Sequence, residues 1–267
     1  MTKPRSAIYL VAAQIVGAVC LASAADINRG NALTEIVSRT NTQVTKLLDQ
    51  FSNVKCAELV EQNKFRSDGK VELKEQSTYD YLAIISNRGG ELSFNESRVP
   101  VREARPEKKN TPMLMSNGFA TLFLVFHPLY VDSFRFTITG QAVSYGRALV
   151  KIGFEHISGT RSPAALALRG REYPLELSGE AWVDPQSGVI TRITASVGDT
   201  LQDLGLKSLQ SEVVFAPVRF HDASETYWFP AVATVEVETP RQHWRNTHHF
   251  TDYKQFSVST EENITTK

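Results

Sequence analysis

The chain has 267 residues, of which 42% are hydrophobic, and its 29 basic side chains balance 29 acidic ones. A chain of this length and composition can bury one sizeable core, so we expect a single folded domain. The balance of charge disfavours nucleic acid as a partner, because nucleic-acid-binding domains carry a basic patch.

The first 24 residues have the pattern of a secretory signal peptide. Lys3 and Arg5 supply a positive start, an apolar run extends from Ala7 to about Leu21, and Ala22-Ser23-Ala24 has the small-x-small form of a cleavage site. We therefore predict cleavage before residue 25 and export to the bacterial periplasm. The mature chain then loses two of the 29 basic residues, keeps all 29 acidic ones and retains no transmembrane span.

Two alternatives to this cleavage stay open. One is a retained membrane anchor, although the apolar run is rather short for a span. The other is a lipid on Cys20, although Val19 stands where a lipoprotein signal has a small residue. Cleavage would leave Cys56 as a lone cysteine that is reactive, pairs between chains or, as we favour, is a small buried side chain on a strand.

Residues 33–51 predict an amphipathic helix at the start of the mature domain. Apolar side chains recur there at the three- and four-residue spacing of one helical face. The face consists of Leu33, Ile36, Val37, Thr40, Val44, Leu47, Leu48 and Phe51. We place a single β-rich domain at 25–258 and a polar tail at 259–267.

After Asn53 the sequence period changes to two, and it predicts about ten or eleven strands. The expected strands lie near 54–65, 71–85, 91–98, 134–139, 147–155, 175–183, 189–197, 205–219, 226–239 and 243–256. One solvent-facing polar side and one apolar side are typical of an antiparallel sheet. The sequence shows no β-α-β alternation, which disfavours a parallel sheet. The fold class is therefore α+β, mainly antiparallel β.

A second, short helix is predicted at residues 117–126, after a basic loop at 100–112. It is apolar on nearly every side, so it must be buried, and it is too short to span a bilayer. Two flexible methionines precede it and suit an adaptable apolar surface. The candidate ligand-contacting residues of this region are Met113, Met115, Phe119, Leu122, Phe123 and Phe126.

The segment 241–250 holds three of the six histidines, and the strand register decides what they can do. A turn at 239–242 makes residue numbers across the hairpin sum to 481. The expected cross-strand pairs are Glu238 with His243, Glu236 with Arg245, Val237 with Trp244, Ala233 with His248 and Ala231 with Phe250. Adjacent histidines then point to opposite faces, and those that share a face lie about 20 Å apart, so we predict no metal site.

The same register decides which face of the sheet each remaining candidate residue of this hairpin lies on. Trp244 and His248 point inward, where His248 is a satisfied core histidine or a polar group in a cavity; we favour the first. Arg241, His243 and Arg245 form an outward cationic strip that suits a phosphate or carboxylate. The simplest interpretation of the segment is an ordinary strand.

Motifs of catalysis are not found in the sequence. It contains no G-x-S-x-G, P-loop or H-E-x-x-H pattern, and the S-x-x-K match at Ser52–Lys55 lacks its companion motifs. We predict a non-enzymatic protein with no cofactor and no catalytic residues. A hydrolase whose catalytic groups meet only in the folded chain stays a third hypothesis.

The hairpin Gly179–Ile190 carries a G-x-x-W-x-D-x-x-S-G turn. With the signal peptide, the amphipathic helix and the strands, it resembles the periplasmic lipoprotein-carrier-like group. That group includes the outer-membrane lipoprotein carrier, its receptor and a regulator that restrains an envelope-stress sigma factor. The resemblance implies an open, strongly curved half-barrel sheet over residues 30–256 that wraps both helices, with an apolar concavity for acyl chains. The chain is also similar to uncharacterised exported bacterial proteins with stretches such as 161–166 and 240–246.

Two functional hypotheses follow. In the first, the protein binds a lipid or an acylated protein in an apolar concavity beneath residues 113–126. In the second, it is an envelope protein-interaction or sensor module with a filled core and an exposed patch. Trp182 and Ile190, which the alternation places on the polar face, are candidates for that partner surface together with Arg241 and Arg245.

Overall fold

The computed structural model of the chain describes residues 9–88, 91–101, 119–168, 171–197, 205–220 and 225–256. Its first element is helix α1, Tyr9–Phe51. The predicted helix at 33–51 is confirmed as the C-terminal part of α1, which begins upstream in the region of the predicted signal peptide. Among the described helices, none combines the length and the apolar character that crossing a membrane requires. Signal cleavage remains a prediction.

Twelve strands follow α1 in the described residues. They are β1 Val54–Phe65, β2 Val71–Arg88, β3 Glu91–Pro100, β4 Phe134–Ser144, β5 Arg147–His156, β6 Ala165–Leu168, β7 Arg171–Pro174, β8 Leu177–Val183, β9 Ile190–Val197, β10 Ser208–Val218, β11 Tyr227–Glu238 and β12 His243–Gln255. Ten of them form one antiparallel sheet in the order β3-β2-β1-β12-β11-β10-β9-β8-β5-β4. Each predicted strand corresponds to one strand of this sheet, so the mainly antiparallel fold class is confirmed.

Some parts of the chain differ from the prediction or fall outside what the structure describes. The separate β6–β7 hairpin was not predicted, because strands of four residues are too short to show a period of two. Residues 102–112 of the predicted basic loop and the predicted polar tail at 259–267 lie outside the described residues.

The sheet is open and strongly curved. Within the described residues its edge strands, β3 and β4, each pair on one side only. Four strand-to-strand steps separate β5 from β11, which amounts to about 19 Å in a flat sheet. Yet the ring of Tyr145, in the turn before β5, lies 5.4 Å from the ring of Trp228 on β11. The sheet therefore curls until distant strands meet, as the half-barrel resemblance implied.

Helix α1 covers the inner face of the sheet through one stripe of buried side chains. The stripe consists of Ile36, Thr40, Val44, Leu48 and Phe51. Spacings of three and four residues place these side chains on one side of the helix, as predicted. The hydroxyl of Thr40 donates to the carbonyl of Ile36 at 2.9 Å, so its burial leaves that hydroxyl satisfied.

A 3-10 helix at Phe119–Phe126, called the short helix below, lies between α1 and strands β9, β10 and β11. It corresponds to the predicted apolar helix at 117–126, with 3-10 rather than α geometry. Residues 122–126 are all buried, as the sequence required of a segment with no polar face.

The turn between β8 and β9 holds α1 in place. Oδ1 of Asp184 accepts hydrogen bonds from the backbone N–H groups of Gln186 and Ser187, which closes the turn. Gly188 follows with φ +75°, and a β-carbon there would lie 2.5 Å from the backbone carbon of Arg39. Arg39 also donates from Nη1 to the carbonyl of Pro185 at 2.7 Å. The motif that carried the resemblance is thus a docking point for the helix.

The predicted placement of Ile190 on the polar face is wrong. Ile190 pairs with Val183, and the register shifts between Trp182 and Val183. This irregularity turns both Ile190 and Thr191 into the interior, where each is buried. A one-residue shift exchanges the two faces of a strand, so the strict alternation used for the prediction fails at this point.

We predict that Gly188→Ala lowers the free energy of unfolding by about 2–4 kcal/mol, because a methyl group there meets backbone atoms of α1 and the φ is unfavourable for alanine. Urea unfolding followed by circular dichroism measures this change. Gly146→Ala is the matched control, since Gly146 also has a positive φ, +69°, but nothing within 4 Å of the added carbon. The control should lose about 1 kcal/mol; equal losses would contradict the docking role of Gly188.

Candidate functional site

The inner face of the sheet has an apolar half, which faces α1 and the short helix. A row of cross-strand neighbours runs through it from β5 to β11. The row consists of Ile152, Ala181, Ile193, Val213 and Ala233, all almost completely buried. On β12 the same row continues into His248, where a polar half begins.

The predicted ligand-contacting residues of the short helix fill the centre of the apolar half. The ring of Phe123 lies 6.4 Å from that of Phe51 and 6.3 Å from that of Phe215. The ring of Phe126 stacks on that of Phe136 at 5.0 Å. Leu122 is buried in the same cluster. The structure thus brings these three side chains together as packing for α1 and the sheet.

The other candidates near the short helix are only partly covered by the structure. The backbone of Phe119 begins the short helix, whereas Met113 and Met115 lie outside the described residues. The role of these three residues in ligand binding stays a prediction.

A small apolar cleft opens beside α1. It has a volume of about 30 Å³ and lies between Gln43, Val44 and Leu47 on α1, the segment Gly188–Ile190, and Tyr227 with Trp228 on β11. A space of this size holds roughly two water molecules. An acyl chain therefore needs more room than this cleft provides, and that room has to come from displaced side chains.

The polar half contains a buried ionic network centred on Glu58, whose side chain is fully buried. Arg98 on β3 donates to it from Nε at 2.6 Å and from Nη2 at 3.0 Å. Nδ1 of His248 lies 2.8 Å from Oε1 of Glu58. Arg98 also donates to Glu96 at 2.9 Å, and the hydroxyl of Tyr81 donates to the other oxygen of Glu96. Each carboxylate is thereby paired with positive charge and hydrogen-bond donors.

These contacts set the charge state of Glu58. Burial disfavours its ionised form, but hydrogen bonds from His248 and Arg98 outweigh burial and hold the pKa of this carboxyl below its ordinary value. His248 is therefore the satisfied core histidine that the sequence favoured. Glu58 itself was missed. The signal was a charged residue among the inward-facing positions of β1, between Cys56 and Val60.

Cys56 is a buried thiol, as favoured from the sequence. Burial raises its pKa to about 12, an effect that the neighbouring hydroxyl of Tyr253 only partly opposes. The thiolate is the reactive form of cysteine. This side chain therefore stays a protonated packing group at neutral pH.

The predicted register of the β11–β12 hairpin is confirmed from its turn to the pair of Val232 with His249; the predicted pair of Ala231 with Phe250 lies beyond these observed pairs and is not among them. The pairs Glu238 with His243, Glu236 with Arg245, Val237 with Trp244 and Ala233 with His248 are all present. Trp244 is buried, and its indole N–H donates to the side chain of Gln242. Among the described residues, no three metal-binding side chains converge on one point.

The outward cationic strip of this hairpin is neutralised by an acidic neighbour. Glu236 accepts from Arg245 at 2.8 Å, and its other oxygen contacts Nε2 of His243. Arg241 lies in the exposed turn. The strip therefore offers less free positive charge to an anion than the sequence suggested.

The outer face of the sheet carries Trp182 beside a shallow polar trough. The indole lies between the ammonium of Lys151, at 5.1 Å, and the guanidinium of Arg192, at 4.5 Å. Each cation also pairs with a carboxylate, Glu180 or Glu212, at 2.7 Å. The trough has a volume of about 320 Å³ and is lined by Ser178, Gly179, Thr194, Ala195, Ser196, Gln210, Ser211, Glu212, Thr234 and Glu236.

No protein-family model and no curated protein matches the sequence. Similar solved structures include a DUF1329 family protein from Desulfovibrio piger, with 11% identity over 84% of this chain and 95% of that chain and a TM-score of 0.42. A LolA superfamily protein from Nitrosomonas europaea has 8% identity over 85% and 94%, with a TM-score of 0.37. A structure described as an outer membrane lipoprotein-sorting protein domain from Vibrio parahaemolyticus has 10% identity over 84% and 96%, with a TM-score of 0.36.

The last two neighbours bear the names of a LolA superfamily protein and of a lipoprotein-sorting domain, which are names from the group that the sequence resembles. Because all three TM-scores are below 0.5, the ligand and the mode of binding have to be inferred from the geometry of this chain alone.

We predict that Glu58→Gln lowers the free energy of unfolding at pH 7 by about 2–4 kcal/mol, because it removes the buried negative charge that Arg98 and His248 both contact. Because the pKa of Glu58 is lowered by folding, its contribution is present above the ordinary value of 4.5 and is lost as pH falls below it. The variant should therefore lose less stability than the wild type on acidification. Urea unfolding at pH 7 and at a series of lower pH values measures both effects.

Glu212→Gln is the control for this experiment, since Glu212 forms an ion pair with Arg192 on the exposed outer face. Such pairs contribute less than about 1 kcal/mol. Equal behaviour of the two variants at pH 7 would contradict the buried-network interpretation.

Proposed function

We propose that this protein is an exported, non-enzymatic binding protein of the bacterial envelope, and that its ligand is the acyl chain of a lipid or of an acylated protein. The acyl chain takes the place of the short helix on the apolar half of the inner face. One observation carries the proposal: an almost wholly apolar segment occupies the centre of the concave face as a 3-10 helix.

The geometry of the short helix makes it a replaceable part of the core. A 3-10 helix has poorer hydrogen bonds than an α-helix and seldom extends beyond three or four residues, whereas this one has eight. Its position therefore depends on the burial of its side chains rather than on its own backbone. Another apolar chain can satisfy the same surface.

The exchange of the short helix for an acyl chain is close to balanced in free energy. Exposing the five buried side chains at 122–126 costs about 1.5–3 kcal/mol for each side chain. Burying an acyl chain gains about 0.8 kcal/mol per methylene, so roughly 9 to 19 methylenes offset that cost. No preformed cavity is required, because the acyl chain fills the volume that these side chains leave.

The polar half of the inner face confines the ligand to the apolar half. Glu58, Glu96 and Arg98 carry charges that are already paired within the protein. Breaking these pairs to seat hydrocarbon there would cost several kcal/mol. We therefore place the acyl chain over β8 to β11 and not over β1 to β3.

The proposal is tested by native mass spectrometry of the chain, expressed at full length with export and purified gently from the periplasm. We expect a co-purified acyl-chain molecule, or one-to-one uptake of an added fatty acid or acylated peptide, identified by extraction and lipid analysis. An unliganded mass that takes up neither probe would refute the proposed function.

We predict that Leu122→Ala raises the affinity for an acylated peptide. The substitution weakens the packing of the short helix by about 2–3 kcal/mol, and at 1.4 kcal/mol for each factor of ten this corresponds to an increase of about 30- to 140-fold. Fluorescence titration with the labelled peptide measures the effect. Leu149→Ala is the matched control, since Leu149 is equally buried but lies outside the core cluster of the short helix.

The control should lose stability and keep the wild-type affinity. If Leu122→Ala also only loses stability, the short helix is ordinary core and is not exchanged for ligand.

The second candidate function is an envelope protein-interaction or sensor module. The observation that favours it is Trp182 on the outer face between Lys151 and Arg192, because tryptophan and arginine are enriched in the central contacts of protein interfaces. The corrected position of Ile190 removes it from this surface. Failure to take up either acyl probe would leave this candidate as the better one.

A further inference from the structure

We propose that Tyr145 is the gate of the acyl-chain site, and that the chain enters through the apolar cleft between α1 and Trp228. This inference rests on the proposed function and assigns the route and the residue that controls it.

The conformation of Tyr145 is unusual for its residue type. Tyr145 has φ +49° and Gly146 has φ +69°, and Ser144 pairs with Arg147 across them. Two central residues with positive φ form the type I′ turn of a two-residue hairpin, for which Asn-Gly is the favoured sequence. A bulky side chain in this region is strained, and strain of this kind concentrates at functional positions. Turn geometry alone therefore does not account for a tyrosine here.

The ring of Tyr145 makes a contact that Asn could not make. It lies edge-on to the ring of Trp228 at 5.4 Å and 80°, while 58% of the residue stays exposed. The guanidinium of Arg147 lies 5.7 Å from the same indole and pairs with Asp184 at 3.2 Å. The tip of the β4–β5 hairpin is thus tied to β11 by side chains.

This tie is suited to opening and closing. The strands β5 and β11 are separated by β8, β9 and β10 in the sheet, so no backbone ladder joins the hairpin tip to Trp228. An aromatic pair and an exposed ion pair are each weak in water. A contact of this strength leaves an open form populated at roughly 0.1–10%.

The cleft behind Trp228 leads toward the short helix. Val44 and Leu47 form one wall of the cleft, and Val44 belongs to the same buried stripe of α1 as Phe51, which contacts Phe123. Trp228 forms the opposite wall. Movement of Trp228 away from α1 widens the cleft, and Tyr145 is the side chain that holds Trp228 from the outside.

The test uses stopped-flow fluorescence with a labelled dodecanoyl peptide and the full-length chain purified from the periplasm. Tyr145→Asn removes the ring and installs the residue that the turn prefers, so it keeps or raises stability. We expect it to raise the association and dissociation rate constants at least fivefold, with the equilibrium dissociation constant unchanged within twofold. Val143→Asn is the control, because Val143 lies on β4 two residues before Tyr145 and is 78% exposed; it should leave both rate constants at the wild-type values.

Three outcomes would overturn the gate. If the wild type binds the peptide and Tyr145→Asn has wild-type rate constants, the route is elsewhere and the proposed function stands. If only dissociation accelerates and affinity falls, Tyr145 contacts the bound chain and does not control its passage. If the wild type does not bind the peptide in an equilibrium titration, the proposed function fails and the gate fails with it.

Discussion

The contact between helix α1 and the turn joining β8 to β9 is the constraint on which the rest of the structure depends. The backbones of Gly188 and Arg39 approach so closely that no β-carbon fits between them. This contact fixes the height of α1 above the sheet, and α1 in turn defines the space that the short helix fills. Phe51, at the end of α1, packs against Phe123 of the short helix and against Phe229 of β11, so the position of α1 also constrains these two side chains. A turn between two strands thereby sets the shape of an interior that extends well beyond them.

The division of the inner face into two halves follows from the need to satisfy buried charge. Glu58 is fully buried and therefore has to be matched by donors. Arg98 supplies them from β3, two strands away, and His248 supplies another from β12. The short helix and Phe51 lie where charged residues are few, so the same sheet offers hydrocarbon on one side and an ionic network on the other. In a binding protein, this arrangement gives an apolar ligand one place to lie and limits how far it can spread.

Local pattern was enough to predict much of the fold. The period-two alternation located β1 with its actual limits. Pairing opposite charges, and large side chains with small ones, across the last hairpin gave the register that places Glu236 opposite Arg245. The helix stripe through Val44 followed from spacing alone. These features depend on residues close in sequence or on a single turn, so the sequence contains the information directly.

The features that escaped prediction depend on irregular or distant contacts. A register shift beside Val183 buries Ile190, and nothing in the alternation marks that shift. Glu58 stood out only as a charge on an apolar face, and its partner Arg98 is identified only when the strand order is known. The contact of Tyr145 with Trp228 exists because the sheet curls across four strand spacings, which no local pattern encodes. For that reason the sequence pointed to the short helix as a candidate site but not to the cleft beside it.

The strand order has a consequence for how the chain is made. β1 joins the body of the sheet through β12. The residues paired there are distant in sequence: Glu58 and His248, for example, are separated by 190 residues. The first three strands can form their own hairpins early, but they cannot join the other seven until the last strand has been synthesised. Contacts of such long sequence separation make folding slow. During that interval the edge of β1 that later receives β12 is open to any other strand, so correct assembly depends on the chain being kept apart from its copies until β12 has paired with β1.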